Sequence, residues 1–434
     1  MRSAIRASLF DFSADPSHNA GALRYIEDGL LLIEDGTISA CGEFAQLRDQ
    51  IDAHLMLHDY RGCLVTPGFI DTHIHLPQVD VIASPAAGLL EWLERHTFPV
   101  EATFDDPAVA ADAARFFLDE LARQGTTSAL VFGTVHRNSV EQLFQEAQRR
   151  DVRLAAGKCL MDRNCPAPLR DTAEGGVQES ADLARHWHGR GRLSYAITPR
   201  FAATSTPLQL QLAGELARSR PELLIQSHVA ENVDEVRWIA ELYPDARSYL
   251  DVYDRVGLLR EGAVYAHCIW FDAADRARMQ ATGTAAAVCP TSNLFLGSGL
   301  FDFRASLDAG VPITLATDVG GGQSFSMLET MRSAHEVARL NGMAVTALQL
   351  FYWATRAGAL AMGWRDVAGR LEAGFDADLV VLDPRATPLL ARRSARASSL
   401  EERLFALIIL GDDRAVRETF IAGGPAKPGA EPIQ

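Results

Sequence analysis

Short apolar runs recur through the middle of the chain, at residues 68–72, 128–132, 153–160, 193–198, 223–227, 263–266, 284–288 and 312–316. Runs this short and this rich in β-branched residues predict buried strands rather than helices. Segments with apolar positions at helical spacing separate most of them, as at 106–123, 140–150 and 207–218. Eight strands in β–α alternation predict an α/β fold, a (β/α)8 TIM-type barrel with parallel strands inside and helices outside. An open doubly wound sheet shares this alternation. The barrel is preferred because polar residues cluster just after the strand ends, where barrel active sites lie.

The two ends of the chain read differently. Residues 30–38 predict a strand, an Asp35-Gly36 turn and a second strand. Further strands are predicted at 378–382, 405–410 and 416–421. Such segments bury little alone, so residues 1–66 and 375–434 are expected to form one small β-sandwich domain beside a catalytic barrel of residues 67–374. The tail from residue 423, with its Gly-Gly-Pro and Lys-Pro-Gly strings, is expected to be irregular.

Composition narrows the partners. The chain has 434 residues, 48% hydrophobic and 22% charged, as a globular protein with a sizeable core does. Its net charge of −15 argues against nucleic acid, whose binding rests on clustered Lys and Arg. No apolar run is long enough to span a membrane, and the first residues lead into Asp11, Asp15 and His18 rather than a signal segment. Six cysteines without a Cys-x-x-Cys pair are expected as reduced core thiols. A cytoplasmic enzyme acting on a small molecule is the resulting expectation.

The candidate chemistry starts at Asp71-Thr72-His73-Ile74-His75. On a strand His73 and His75 share a face, about 7 Å apart along the chain, within reach of one metal ion. Taken alone, the pair reads equally as two surface histidines. Other ligand types follow later strands: His228 after 223–227, His267 after 263–266 and Asp318 after 312–316. Five such groups on one rim, with Glu231 three residues past His228, point to a metal site. Three histidines and a carboxylate leave a position for water on zinc, and Glu231 is spaced to shuttle protons without ligating. His267 either ligates the metal or hydrogen-bonds the water.

These positions make the chain resemble the metal-dependent amidohydrolase superfamily. Longer strings are similar to those of the guanine deaminases within it: Leu90-Glu91-Trp92-Leu93 with Thr97-Phe98-Pro99, the run Cys289-Pro290-Thr291-Ser292-Asn293 continuing to Gly299, and Thr317-Asp318-Val319-Gly320-Gly321-Gly322. The resemblance implies a homodimer and one Zn2+ per chain, held by His73, His75, His228 and Asp318, with His267 behind them. It also implies a purine pocket drawn from His75 to Gln78, Arg200-Phe201 and His228 to Glu231. On chemistry alone, Arg200 offers a forked donor, Gln78 both donor and acceptor, and Phe201 either a stacking face or core filling. A salt bridge at the rim is the bland reading of Arg200.

The resulting expectation is hydrolysis of guanine to xanthine and ammonia. Water attacks C2, Asp318 takes its proton, and Glu231 protonates a ring nitrogen and assists the leaving amino group. Deaminases of other purines, pterins or triazines would use the same catalytic set and differ only in the pocket. A two-metal cyclic-amide hydrolase would need a bridging lysine, and only the misplaced Lys158 is near. A non-catalytic scaffold would be expected to have lost ligands, and none is missing. The His-x-Glu with Pro-Cys-x-x-Cys signature of the nucleic-acid deaminases is absent.

Overall fold

The computed structural model describes residues 2–19, 21–52 and 55–429. Among these residues the central strands are β5 (Phe69–His75), β6 (Thr126–Phe132), β7 (Arg153–Gly157), β9 (Leu193–Pro199), β10 (Leu224–Val229), β11 (Ala263–His267), β12 (Ala285–Val288) and β13 (Ile313–Leu315). They pair in parallel in that order. The first and last strands meet where Asp318 N–H donates to His73 C=O at 3.0 Å and His75 N–H to Val319 C=O at 2.9 Å. The result is a nearly closed (β/α)8 barrel. The apolar run at 153–160 breaks at Lys158 into β7 and a two-residue strand, β8 (Cys159–Leu160), which pairs with β9.

Alternation along the strands sorts side chains between two layers. Ile70, Leu130, Ala155, Ala196, Val264 and Ala287 share one inner cluster. Their neighbours Phe69, Val131, Leu154, Tyr195 and Ile197 join the larger cluster under the helices. With both faces covered, the strands read as continuous apolar runs. Ile70, Leu130 and Val264 fill the barrel interior in layers, with the alanines between them.

The chain ends build a second sheet, ordered β16-β15-β14-β4-β1-β2-β3. Its members are β1 (Arg2–Phe12), β2 (Leu23–Glu34), β3 (Thr37–Glu43), β4 (Met56–Pro67), β14 (Leu379–Leu382), β15 (Val416–Ile421) and β16 (Gly424–Pro425). The sheet folds in sandwich-like fashion over a core that includes Ile5, Leu31, Val65, Leu379 and Phe420. Ion pairs tie it to the barrel: Arg153 reaches Asp376 at 2.6 Å, and Arg192 bonds Asp378.

Two expectations fail here. Residues 405–410 are not a strand but the end of the helix Leu400–Leu410, capped by Ser399, whose side chain accepts from Glu402 N–H. An apolar run of this length fits either element, and the Ser-x-x-Glu start was the signal for helix. The tail is not wholly irregular, since Gly424–Pro425 pairs with β15; residues 430–434 lie outside the described residues. All six cysteines are free thiols, and five of them are buried.

Candidate active site

A bulge in β5 creates the site. Between Asp71 and Ile74 this strand advances three residues while β6 advances two, from Ala129 to Val131. The extra residue reverses the facing of everything beyond it. Ile70 points into the barrel, Ile74 packs outward, and His73 and His75 turn toward the mouth. Both histidines are buried, so they are not surface residues. Asp71 pins the bulge, accepting from His73 N–H at 3.2 Å and from Thr317 N–H at 3.1 Å. Thr317 immediately precedes Asp318, so one carboxylate sets the start of both ligand segments.

Four ligand atoms converge. His73 Nε2 and His75 Nε2 are 3.2 Å apart, His75 Nε2 and His228 Nε2 are 3.2 Å apart, and Asp318 Oδ1 lies 3.1 Å from His73 Nε2. All four groups present ligand atoms within 4.8 Å of one another. His228 Nδ1–H donates to the Arg200 carbonyl at 2.6 Å, which turns the Nε2 lone pair toward the cluster. Burial lowers the pKa of His75 to about 3 and that of His228 well below its usual value. Neutral imidazoles with facing lone pairs are the state a divalent cation requires, and without one they would repel. The residues therefore fit a metal ion.

His267 stands beside this set. Its Nδ1–H donates to Asn293 Oδ1 at 2.9 Å. Its Nε2 lies 3.3 Å from Glu231 Oε2 and 3.8 Å from Asp318 Oδ2, without a hydrogen bond. It groups with His73, Asp318 and Cys289 instead of with His75 and His228. His267, Asp318 and Ala230 have left-handed backbone at φ 73, 51 and 51°, strain of the kind that concentrates at functional sites.

Glu231 is buried, and Ser298 Oγ donates to its Oε1 at 3.0 Å. Burial and the Asp318 charge push its pKa up to about 8, against that hydrogen bond. It is thus a neutral acid at pH 7. Behind it Glu235 Oε2 accepts from Glu231 N–H at 3.0 Å, and Tyr249 O–H donates to Oε1 at 2.7 Å. Burial pushes Glu235 up to about 7. A raised folded pKa means stability is lost as pH rises through it. Thermal melts are expected to show the parent losing stability as pH rises from the ordinary glutamate range, about 4.5, toward about 7, and Glu235→Gln losing less over that window.

The pocket beside the ligands is lined by Gln78, Trp92, Arg200, Phe201, Glu231 and Leu296, among others. Gln78 follows β5 in a short 3-10 turn, and its Oε1 accepts from Gly320 N–H at 3.1 Å. A Cβ on Gly320 would lie 2.4 Å from the Gln78 carbonyl, which explains a glycine here. Phe201 both faces the pocket and meets Trp238 edge-on at 6.1 Å. Arg200 is not a rim residue. It is 2% exposed, lies 5.3 Å over the Phe98 ring and forms an ion pair with the fully buried Glu101.

Glu101, Ser298, Asn293 and Trp92 escaped the sequence reading as site residues. Trp92, Asn293 and Ser298 lie within the strings that carried the family resemblance, and Glu101 lies two residues beyond one of them. An acidic residue closing Phe98-Pro99-Val100-Glu101 was a usable signal. The stretch from Leu89 to Asp105 runs through α, π and 3-10 turns, a departure from periodicity that local pattern does not forecast. Lys158 is engaged by Asp171 at 2.7 Å and Glu179 at 3.5 Å, and no lysine lines the pocket.

Residues 64–425 match the model of the amidohydrolase family. A guanine deaminase of Escherichia coli (strain K12) is 44% identical over 97% of this chain and 96% of its own. The chain belongs to the guanine deaminases of the amidohydrolase family. The solved structure of the E. coli guanine deaminase superposes with a TM-score of 0.95, covering 98% of this chain and 99% of the other. That of C. acetobutylicum, with bound guanine in its active site, is 25% identical and gives a TM-score of 0.88, covering 98% and 100%. The candidate metal ligands stand at the C-terminal ends of barrel strands, where barrel active sites lie.

Proposed function

We propose that the chain hydrolyses guanine to xanthine and ammonia, using one zinc ion held by His73, His75, His228 and Asp318. The observation that carries this reading is a four-ligand cluster facing a buried Glu231 across a pocket walled by Gln78, Arg200 and Phe201. The relatives' shared name supplies the substrate. Phe201 offers a face to a planar base, while Arg200 and Gln78 offer donors to its O6 and N7 acceptors.

A zinc ion would act there as a Lewis acid and bring a water's pKa down toward about 7. Burial raises the pKa of Asp318, but the electrostatics of the surrounding histidines, His73 first, outweigh it and hold the group as a carboxylate. Asp318 takes the proton released as water attacks C2. Glu231 gives its proton to N3, the ring nitrogen beside C2. The water proton held by Asp318 passes to the amino group, which leaves as ammonia as the C–N bond breaks. Glu231 assists that departure by taking back the proton of the C2 hydroxyl as it becomes the carbonyl. His267, fixed through Asn293, directs its free Nε2 at the space between Glu231 and Asp318, where the attacking water must sit.

Steady-state turnover against a purine and pterin panel, read by ammonia release, tests the reading. Guanine is expected to be the preferred substrate, and no guanine turnover overturns it. Elemental analysis is expected to find about one zinc per chain, because the two candidate four-residue sets share His73 and Asp318 and, among the described residues, no lysine lines the pocket to bridge two ions; close to two metals in active protein overturns the mononuclear assignment. The homodimer, which rests on the family resemblance, and the cytoplasmic setting, which rests on the free cysteines, are part of the same proposal. Among the described residues no helix is long and apolar enough to cross a membrane.

A further inference from the structure

Glu101 does not line the pocket, yet it touches both residues assigned to reading the base. Its Oε2 accepts from Arg200 Nη1, and its Oε1 accepts from Gln78 Nε2 at 3.2 Å. It is fully buried at the end of the helix Phe98–Glu101, whose first residue lies under the Arg200 guanidinium. We infer that Glu101 is a positioning residue that sets substrate preference by fixing the hydrogen-bond polarity of the recognition wall. The inference rests on the purine reading of the pocket.

A glutamine amide has two orientations that exchange donor for acceptor at nearly the same shape. Gln78 has a partner at each end. Its oxygen takes the Gly320 N–H, and its nitrogen gives a hydrogen to the acceptor-only carboxylate of Glu101. Only one orientation satisfies both. Flipping the amide would set oxygen against carboxylate and N–H against N–H. The spare hydrogens of Gln78 Nε2 and of the Arg200 fork then all donate. Such a wall matches a 6-oxopurine, whose O6 and N7 accept, and opposes a 6-amino group, which brings hydrogens of its own.

Glu101→Gln keeps the size but divides the end group into one acceptor and one donor, so it cannot accept from Arg200 and Gln78 together. The amide of Gln78 loses its fixed orientation. The test uses hypoxanthine and adenine, which lack the 2-amino group, titrated calorimetrically into metal-loaded protein. The parent is expected to favour hypoxanthine by roughly 10-fold or more, the discrimination a committed hydrogen-bonding site gives. Glu101→Gln is expected to shrink that ratio several-fold with zinc content unchanged. Gln78→Met, which removes the amide without stranding a buried charge, is expected to shrink it too.

The inference is overturned if Glu101→Gln weakens both purines in parallel at an unchanged ratio, since a merely structural role would do that. Should Glu101→Gln not fold, an unchanged ratio in Gln78→Met overturns it as well. A parent that binds hypoxanthine and adenine equally does the same. A parent that binds neither purine and does not turn over guanine instead refutes the purine reading on which the inference stands.

Discussion

Replacing Glu231 with glutamine is expected to lower guanine turnover by about 10²-fold or more, the usual range for removing a positioned general acid. Glutamine preserves the side chain's shape and can still accept from Ser298 Oγ, so the pocket should not collapse. What disappears is a transferable proton. Burial and Asp318 keep that proton on Glu231 up to about pH 8, where an ordinary glutamate has lost it near pH 4. Below that value the group is a competent donor, and above it the donor is lost, so turnover in the parent should decline on the alkaline side. Zinc content should stay at the parental level, because Glu231 is outside the converging ligand set. Near-normal turnover in the variant would remove Glu231 from the chemistry. Loss of metal would make it a ligand.

Arg200→Lys is expected to reduce kcat/KM for guanine by roughly 10- to 1000-fold, the cost of leaving buried polar groups unpaired. A lysine keeps the charge but has neither the planar fork nor the reach to bond Glu101 and a base together. A residue on the rim would leave the melting temperature nearly unchanged, but Arg200 is buried. Arg200 is the partner of a fully buried carboxylate, so Arg200→Ala strands Glu101 and should lower the melting temperature by several degrees. Arg200→Lys, which retains a cation, should lower it less. If both variants process guanine like the parent, Arg200 is a structural ion-pair residue, and the base-reading role falls.

Much of the architecture was legible because barrel strands are buried on both faces and announce themselves as uninterrupted apolar runs. The same property set the limits of the reading. At 405–410 an apolar run proved to be the last turns of a helix, since continuous burial erases the period that separates helix from strand. At 153–160 one run became two strands, because Lys158 turns away to Asp171.

The sequence by itself determined the chemical types at the site: imidazoles and carboxylates placed at strand ends in a βα alternation, with no lysine suited to a second metal. It also determined that His73 and His75 share a face, since side chains two apart on a strand do so. Which face they share was decided only by the tertiary structure. Strict alternation from Ile70 would have sent Ile74 into the barrel and both histidines out among the helices. The bulge between Asp71 and Ile74 reverses this, and it is held by Asp71 bonding Thr317 from the far end of the chain. Glu101 likewise shows its purpose only when folding brings it against Arg200, 99 positions away. Local pattern reports which residues are polar. Whether a buried charge meets a ligand, water or another side chain depends on partners remote in the chain, and only the closed barrel brings those together.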